Sequence, residues 1–154
     1  MKTLCVIPCS KTKKFKKNEF LQAQVAYNGT TFNYSKNICL KEKNNFIIFS
    51  AKYGLIYPEK LIENYNISFN NKEDRCVSYN IIDNQFQDMI LGEYDNIMSF
   101  CGNNYNKYLF KLCKEYKIVI IDFFEELEKR GMGYKLNFLK VYHNNLNKNI
   151  NDIF

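Results

Sequence analysis

The segment Leu4-Cys5-Val6-Ile7-Pro8-Cys9-Ser10-Lys11-Thr12-Lys13-Lys14-Phe15-Lys16-Lys17 passes from an apolar run straight into a thiol, a hydroxyl and a dense set of ammonium groups. The apolar part is short and β-branched, as a buried strand is. Three further runs have the same character, so strands are predicted over 3–8, 46–50, 96–100 and 118–121. The segments between them show helical spacing. One example is 73–91, with apolar residues at Val77, Ile81, Ile82, Phe86, Met89 and Ile90 and a stop at Gly92. Helices are also expected over 29–40, started by Thr30 or Thr31, and over 103–116, 123–130 and 133–144. Buried strands alternating with helices of this length predict an α/β fold, a Rossmann-like three-layer sandwich around a mainly parallel sheet of about four or five strands. No linker or repeat divides the chain. One domain over 1–154 is expected, with the Asn/Lys-rich tail after about 144 frayed.

The charge distribution sharpens the opening segment. Lys2, Lys11, Lys13, Lys14, Lys16 and Lys17 fall within the first 17 residues, and the whole chain carries 22 basic and 16 acidic side chains. Without those six lysines the balance is 16 against 16, so the formal net charge of +6 sits beside the exit of the first strand. Charge gathered in one place points to an anion-handling site. Lysine richness alone says less, because 20 lysines against 2 arginines, with 22 asparagines, read as the mark of an AT-rich genome.

Composition excludes several classes. With 46% hydrophobic residues, 12 Tyr and 13 Phe, the chain is globular rather than disordered. No apolar run approaches the roughly 20 residues of a membrane span, and Met1-Lys2-Thr3-Leu4 opens no secretory segment, so a cytoplasmic protein without a membrane partner is expected. The six cysteines contain no Cys-x-x-Cys pair, and His143 is the single histidine, so neither a zinc site nor a cofactor is expected. The thiols are expected to stay reduced, with Cys5, Cys39, Cys76 and Cys113 in or near the core. His143 reads as a surface or packing residue.

In open parallel sheets ligands bind beyond the carboxyl ends of the strands, so residues at the exits carry the functional expectations. At the first, Cys9 is a candidate nucleophile beside ammonium groups, and Ser10, Lys11 and Lys13 are candidate phosphate ligands; the alternative is a buried cysteine followed by a solvated basic loop. At the second, Ser50 and Lys52 straddle the strand end, Gly54 permits a left-handed turn, and Tyr53 and Tyr57 offer rings to a base or sugar; the alternative is a hairpin-like turn packing its aromatics on the core. Glu63-Asn64-Tyr65-Asn66 supplies Glu63, a candidate general acid, base or sugar-hydroxyl ligand, or else a solvated acid. The fourth exit, Ser99-Phe100-Cys101-Gly102-Asn103-Asn104-Tyr105, reads as a glycine turn into a helix N-terminus that favours anions, with Asn103 as cap. Arg130-Gly131-Met132-Gly133-Tyr134-Lys135 follows a helix rather than a strand and is no dinucleotide fingerprint.

The order CVIPCSKTK, FSAKYGLIYP, ENYN, CGNNYNKYL and GMGYKLNFL resembles a set of small bacterial and phage domains grouped with the YaaA-like proteins. It is also similar to the lyase-bearing domain of archaeosine synthase. The resemblance covers nearly the whole chain. It implies a Rossmann-like α/β domain with a role in modified bases, nucleosides or DNA. Residue by residue it nominates Cys9, Ser10, Lys11, Lys13, Ser50, Lys52, Gly54, Glu63, Tyr65, Gly102 and Tyr105. Asn66 departs from the family, which usually has an acid there, so a mechanism needing two carboxylates in this segment is not implied.

The expected function is therefore an enzyme acting on a nucleobase or N-glycosidic bond of a nucleoside, nucleotide or nucleic acid, of N-glycosidase, transglycosylase or base-modifying type. Lys11, Lys13 and Lys52 would hold phosphate, and Tyr53 or Tyr65 would stack on the base. Glu63 would assist at the anomeric carbon, or Cys9 would attack an electrophilic base. The alternative is a non-catalytic nucleotide- or nucleic-acid-binding module. A homo-oligomer is compatible with either.

Overall fold

The computed structural model describes residues 1–125 and 132–153. Five strands form the main sheet: β1 (Thr3–Pro8), β3 (Asn45–Ser50), β4 (Gly54–Ile56), β6 (Asn96–Ser99) and β7 (Val119–Asp122), in the order β4-β3-β1-β6-β7. β1 is central, parallel to β3 and to β6, and β6 is parallel to β7. β4 is antiparallel to β3, with Ser50 opposite Gly54, so the second exit folds back as a hairpin. A separate ribbon pairs β2 (Phe20–Gln22) antiparallel to β5 (Leu61–Glu63). The helices are α1 (Ala23–Ala26), α2 (Thr30–Lys41), α3 (Tyr79–Met89), α4 (Asn103–Tyr116) and α5 (Met132–Ile153).

The two-residue period of the strands sorts their side chains between two cores. Leu4 and Val6, with Ile47, Phe49 and Ile97, pack under α3 and α4 through Ile82, Phe86, Leu109 and Leu112. Cys5 and Ile7, with Phe46 and Ile48, pack under α2 and α5 through Phe32, Ile38 and Leu139. The sheet thus carries helices on both faces.

The expected strands and the 103–116 helix lie where the residue pattern puts them. The 73–91 helix is shorter: it begins at Tyr79, where the Ser78 hydroxyl accepts from the Ile81 N–H. Upstream, the Val77 N–H donates to the Ala51 carbonyl at 2.8 Å, which holds that residue in a connecting segment rather than a helical turn. α2 starts from Gly29 without a side-chain cap, so neither Thr30 nor Thr31 caps it. The expected 123–130 helix lies from 126 onward outside the described residues. The last helix spans Met132–Ile153, longer than the expected 133–144. No helix among the described residues is long and apolar enough to cross a membrane. Cys5, Cys39, Cys101 and Cys113 are buried, Cys9 and Cys76 are partly exposed, and all six thiols are free. His143 sits between α2 and α5, beside the Tyr34 ring and Lys41 Nζ.

The hairpin depends on Gly54, whose φ is +79°. Gln85 on α3 clamps it, accepting from the Leu55 N–H and donating to the Tyr53 carbonyl at 2.8 and 2.9 Å. A Cβ on Gly54 would fall 2.1 Å from Gln85 Oε1, whereas Gly92, at φ +81°, has nothing within 4 Å. Gly92→Ala should therefore cost only the left-handed strain, about 1–2 kcal/mol. Gly54→Ala should cost at least about 2 kcal/mol more than that, because strain and overlap add. Urea unfolding of the two variants checks the difference, and equal costs would show that Gln85 does not constrain the turn.

Candidate active-site cleft

Parallel pairing puts the ends of β1, β3, β6 and β7 on one edge of the sheet. The ladder also continues past the strands: Cys9 N–H donates to the Phe49 carbonyl, Phe100 N–H to Val6 and Phe123 N–H to Ser99, each at 2.9 Å. The first exit is thereby laid between the second and the fourth. Its basic loop then doubles back along α1, with Lys14 N–H donating to Ala26 and Asn28 N–H to Thr12 at 2.8 and 3.1 Å. Ser10 ties the loop to the start of α2: its hydroxyl donates to the Thr12 carbonyl and accepts from the Gly29 N–H at 3.2 Å. A Cβ on Gly29 would stand 2.9 Å from that of Ser10, so glycine is what lets the two segments approach.

A cleft of about 950 Å³ opens at this edge, with Cys9, Ser10, Lys11 and Lys13 on one side and Gly102 and Tyr105 on another. Tyr65 and the loop that follows it form a further wall. The first residues of both α2 and α4 also line it. The N-caps of these helices are Gly29 and Gly102, neither with a side-chain cap; Asn103, expected as a cap, is instead the first helical residue. Apart from the Tyr105 N–H, which donates to the Gly102 carbonyl at 3.1 Å, the N–H groups of the two first turns are therefore left for solvent or ligand at the positive ends of two helices. Within the cleft Cys9 Sγ lies 3.3 Å from the Tyr105 hydroxyl.

Beneath Tyr65 runs a chain of hydroxyls. Ser50 Oγ accepts from the N–H groups of Lys52 and Tyr53 at 3.2 and 3.1 Å, so its own proton is directed to Tyr65 Oη, 2.8 Å away. Tyr65 Oη in turn bonds Tyr27 Oη. Lys13 crosses above, its ammonium 4.4 Å from the centre of the Tyr65 ring and donating to the Tyr65 carbonyl at 3.0 Å. Burial, reinforced by the neighbouring Cys9, pushes the phenols of Tyr27, Tyr65 and Tyr105 up, so all three stay neutral hydroxyls. Burial also holds Lys13 below its ordinary 10.5, with Cys9 opposing the shift.

The remaining expected residues stand apart from the cleft. Glu63 is half exposed (55%) and ion-paired with Lys52 at 3.2 Å, the only salt bridge among the described residues. Tyr53 packs edge-on against the Tyr65 ring at 5.6 Å, and its hydroxyl accepts from the Glu63 N–H. Ser50 reaches the cleft only through Tyr65, and Gly54 serves the hairpin. In the closing glycine element, Lys135 Nζ lies near Gly102 and Leu136 lines the cleft. Arg130 and Gly131 fall outside the described residues. Among the described residues no group of three or more His, Cys, Asp or Glu is arranged to hold a metal ion.

Three contributors lie outside the expected site residues. Tyr27 ends the hydroxyl chain 38 positions from its partner. Asn106 locks the β6–α4 turn, receiving the Ser99 hydroxyl and donating to the Cys101 carbonyl at 3.0 Å. Phe69 inserts among Phe49, Tyr105 and Tyr108 with ring centroids 5.6, 4.8 and 5.0 Å away, which anchors the Asn-rich wall against the tyrosine that touches Cys9. Phe69 was detectable, with Ile67, as a large apolar residue in an otherwise polar stretch. Tyr27 and Asn106 carry no such signal.

Iodoacetamide treatment of the native protein, read by peptide mass mapping, should label Cys9 and Cys76 and spare the four buried thiols. Tyr105→Phe should change the Cys9 rate severalfold while leaving that of Cys76 alone. An unchanged Cys9 rate would show that the 3.3 Å contact does not govern the thiol.

A family described as "Family of unknown function (DUF6884)" matches residues 4–141. A Bacillus subtilis (strain 168) protein, "Uncharacterized protein YfjM", is 23% identical over 143 residues, spanning 90% of this chain and 93% of that one. The family match begins at the first strand, covers all four exits and runs into the last helix, so the chain belongs to the DUF6884 family.

Proposed function

We propose that the chain is an enzyme acting on a nucleobase or its N-glycosidic bond. The phosphate of the nucleotide would lie between the first turns of α2 and α4 and be neutralised by Lys11 and Lys13. The observation that carries this reading is the convergence on one cleft of two uncapped helix N-termini, two lysines and the Cys9 thiol. In this reading the fold is a Rossmann-like sandwich. The resemblance to YaaA-like proteins and to the lyase-bearing domain of archaeosine synthase supports a base or nucleoside as substrate.

Of the two nucleophiles considered, Cys9 is the one that lines the cleft, whereas Glu63 is engaged by Lys52 at 3.2 Å. In the proposed step Sγ forms a bond to an electron-poor carbon of the base. The displaced electron pair moves to a ring nitrogen, which takes up the thiol proton. Collapse of the adduct expels the amino or other leaving group of that carbon together with this proton, and water then displaces Sγ, which restores the thiol and leaves a carbonyl on the base. Tyr105, as a neutral hydroxyl 3.3 Å from Sγ, orients the thiol. The ion pair with Lys52 leaves Glu63 an ordering role outside the cleft.

The second reading is a non-catalytic nucleotide-binding module. It is favoured by one feature: Asp74 is the sole carboxylate among the described residues lining the cleft, and it already accepts from the Ser68 N–H and the Asn71 amide. The test is incubation with nucleosides, nucleoside monophosphates and oligonucleotides carrying modified bases, followed by mass spectrometry for altered or released base. The enzyme reading expects product from the native chain, loss of turnover in Cys9→Ser with the dissociation constant within about twofold, and at least about tenfold weaker binding when Lys11 and Lys13 are both alanine. Binding without product selects the module, and neither binding nor product overturns both.

A pH series separates Lys13 from the surface lysines. Its charge is present below its lowered pKa and lost as pH rises through it, so nucleoside monophosphate affinity should fall at a lower pH than an ordinary lysine would give. Lys13→Arg should keep its affinity to higher pH. Parallel profiles for the two proteins would place the titrating group elsewhere.

A further inference from the structure

We infer that the nucleotide entering the cleft belongs to a single-stranded nucleic acid, whose flanking backbone runs over Lys14, Lys16 and Lys17 and of which a base further along stacks on Phe20. This inference rests on the nucleotide reading proposed above and extends it from the monomer to the polymer.

Of the lysines that carry the chain's excess charge, only Lys11 and Lys13 line the cleft. Lys14, Lys16 and Lys17 follow directly and are exposed, so the charge continues outward beyond anything a mononucleotide phosphate would span. Among the described residues none of the three has a carboxylate partner. Glu19, the acid of this segment, accepts the Lys16 backbone N–H at 2.9 Å and leaves the ammonium groups unpaired. The ridge is also fixed in place. A bridge between Lys13 and Tyr27 and the Lys14 N–H bond to Ala26 hold its start against α1, and pairing of Phe20 with Glu63 holds its end. A fixed run of exposed cations without ion-pair partners, next in the chain to the cleft lysines, complements a polyphosphate backbone.

The ridge ends on an aromatic. In the β2–β5 ribbon Leu21 and Ile62 point inward, while Phe20 and Leu61 stand on the outer face, 63% and 62% exposed. A large ring held on a strand and left in solvent at the end of a cation ridge is the arrangement on which unpaired bases stack. A paired duplex hides its base faces, so the aromatic favours a single strand.

The test is fluorescence anisotropy with labelled oligo-dT and oligo-U of 2, 6 and 12 nucleotides, a 12-base-pair duplex, and dTMP or UMP as competitor. Affinity should rise with length for the single strands, and the duplex should bind more weakly than the 12-mer. Replacing Lys14, Lys16 and Lys17 by alanine together should flatten the log–log salt slope by about 2, the release expected for three single-strand phosphates. Phe20→Ala should weaken the 12-mer about tenfold with the slope unchanged, the size of one lost base stack. Neither variant should move the monophosphate dissociation constant. Circular dichroism melts show that both are folded. Monophosphate binding that needs Lys11 and Lys13, with no length dependence and no effect of the ridge variants, would overturn the polymer inference and leave the nucleotide reading standing. Failure of every nucleotide to bind would remove the nucleotide reading itself. Equal dT and U affinities are expected of backbone and stacking contacts, and a preference above tenfold would contradict them.

Discussion

Everything at the cleft depends on β1 being the middle strand of a parallel set. Because β3 and β6 both run alongside it in the same direction, three chain exits open at one edge, and helices on both faces are needed to bury the sheet between them. The two helices that begin at that edge present their N-termini to it as a consequence of topology, with no further coding required. Cys9 is placed by the Phe49 carbonyl, one step past the end of the ladder. Backbone direction thus brings together a thiol, lysines and helix ends that lie up to about a hundred positions apart.

Side-chain hydrogen bonds then decide what each exit does. At the second, Ser50 spends its acceptors on the turn and its proton on Tyr65, which removes it from direct ligand contact and makes it part of the floor. At the fourth, Ser99 and Asn106 close the turn so that Gly102 can begin α4 without a side-chain cap. Polar residues next to strand ends divide in this way into those that hold the loop and those left for a partner. The division follows from counting donors and acceptors.

The long elements were legible from residue pattern because their stability is local or repetitive. β1 and α4 have the expected bounds, set by a dense β-branched run in one case and by recurring apolar positions in the other. The short pieces were not. β2, β4, β5 and α1 have three or four residues each and exist because something distant holds them: Gln85 for the hairpin, Pro58 and Lys60 carbonyls for α1. The site divided along the same line. Cys9, Ser10, Lys11, Lys13, Gly102 and Tyr105 lie at strand exits or in the first helical turn, and direction alone places them at the cleft. Glu63 lies on a ribbon outside the main sheet, where only the Lys52 contact sets its orientation. Tyr27 is invisible in sequence because its place in the hydroxyl chain rests on a contact with a residue 38 positions along the chain.

The wall formed by the Asn-rich stretch is not joined to the sheet by any ladder. Phe69, edge-on to Phe49 and Tyr105, holds it together with the Asn104 amide on Asn70 at 2.6 Å and the Lys13 ammonium on the Tyr65 carbonyl at 3.0 Å. A wall held by side-chain contacts costs less to displace than a strand held by a ladder of backbone bonds. The gape of this cleft is accordingly tied in part to the volume and shape of the Phe69 side chain. Chains that share the sheet and the exits but carry a smaller group at this position would share the chemistry of the floor while admitting bulkier guests.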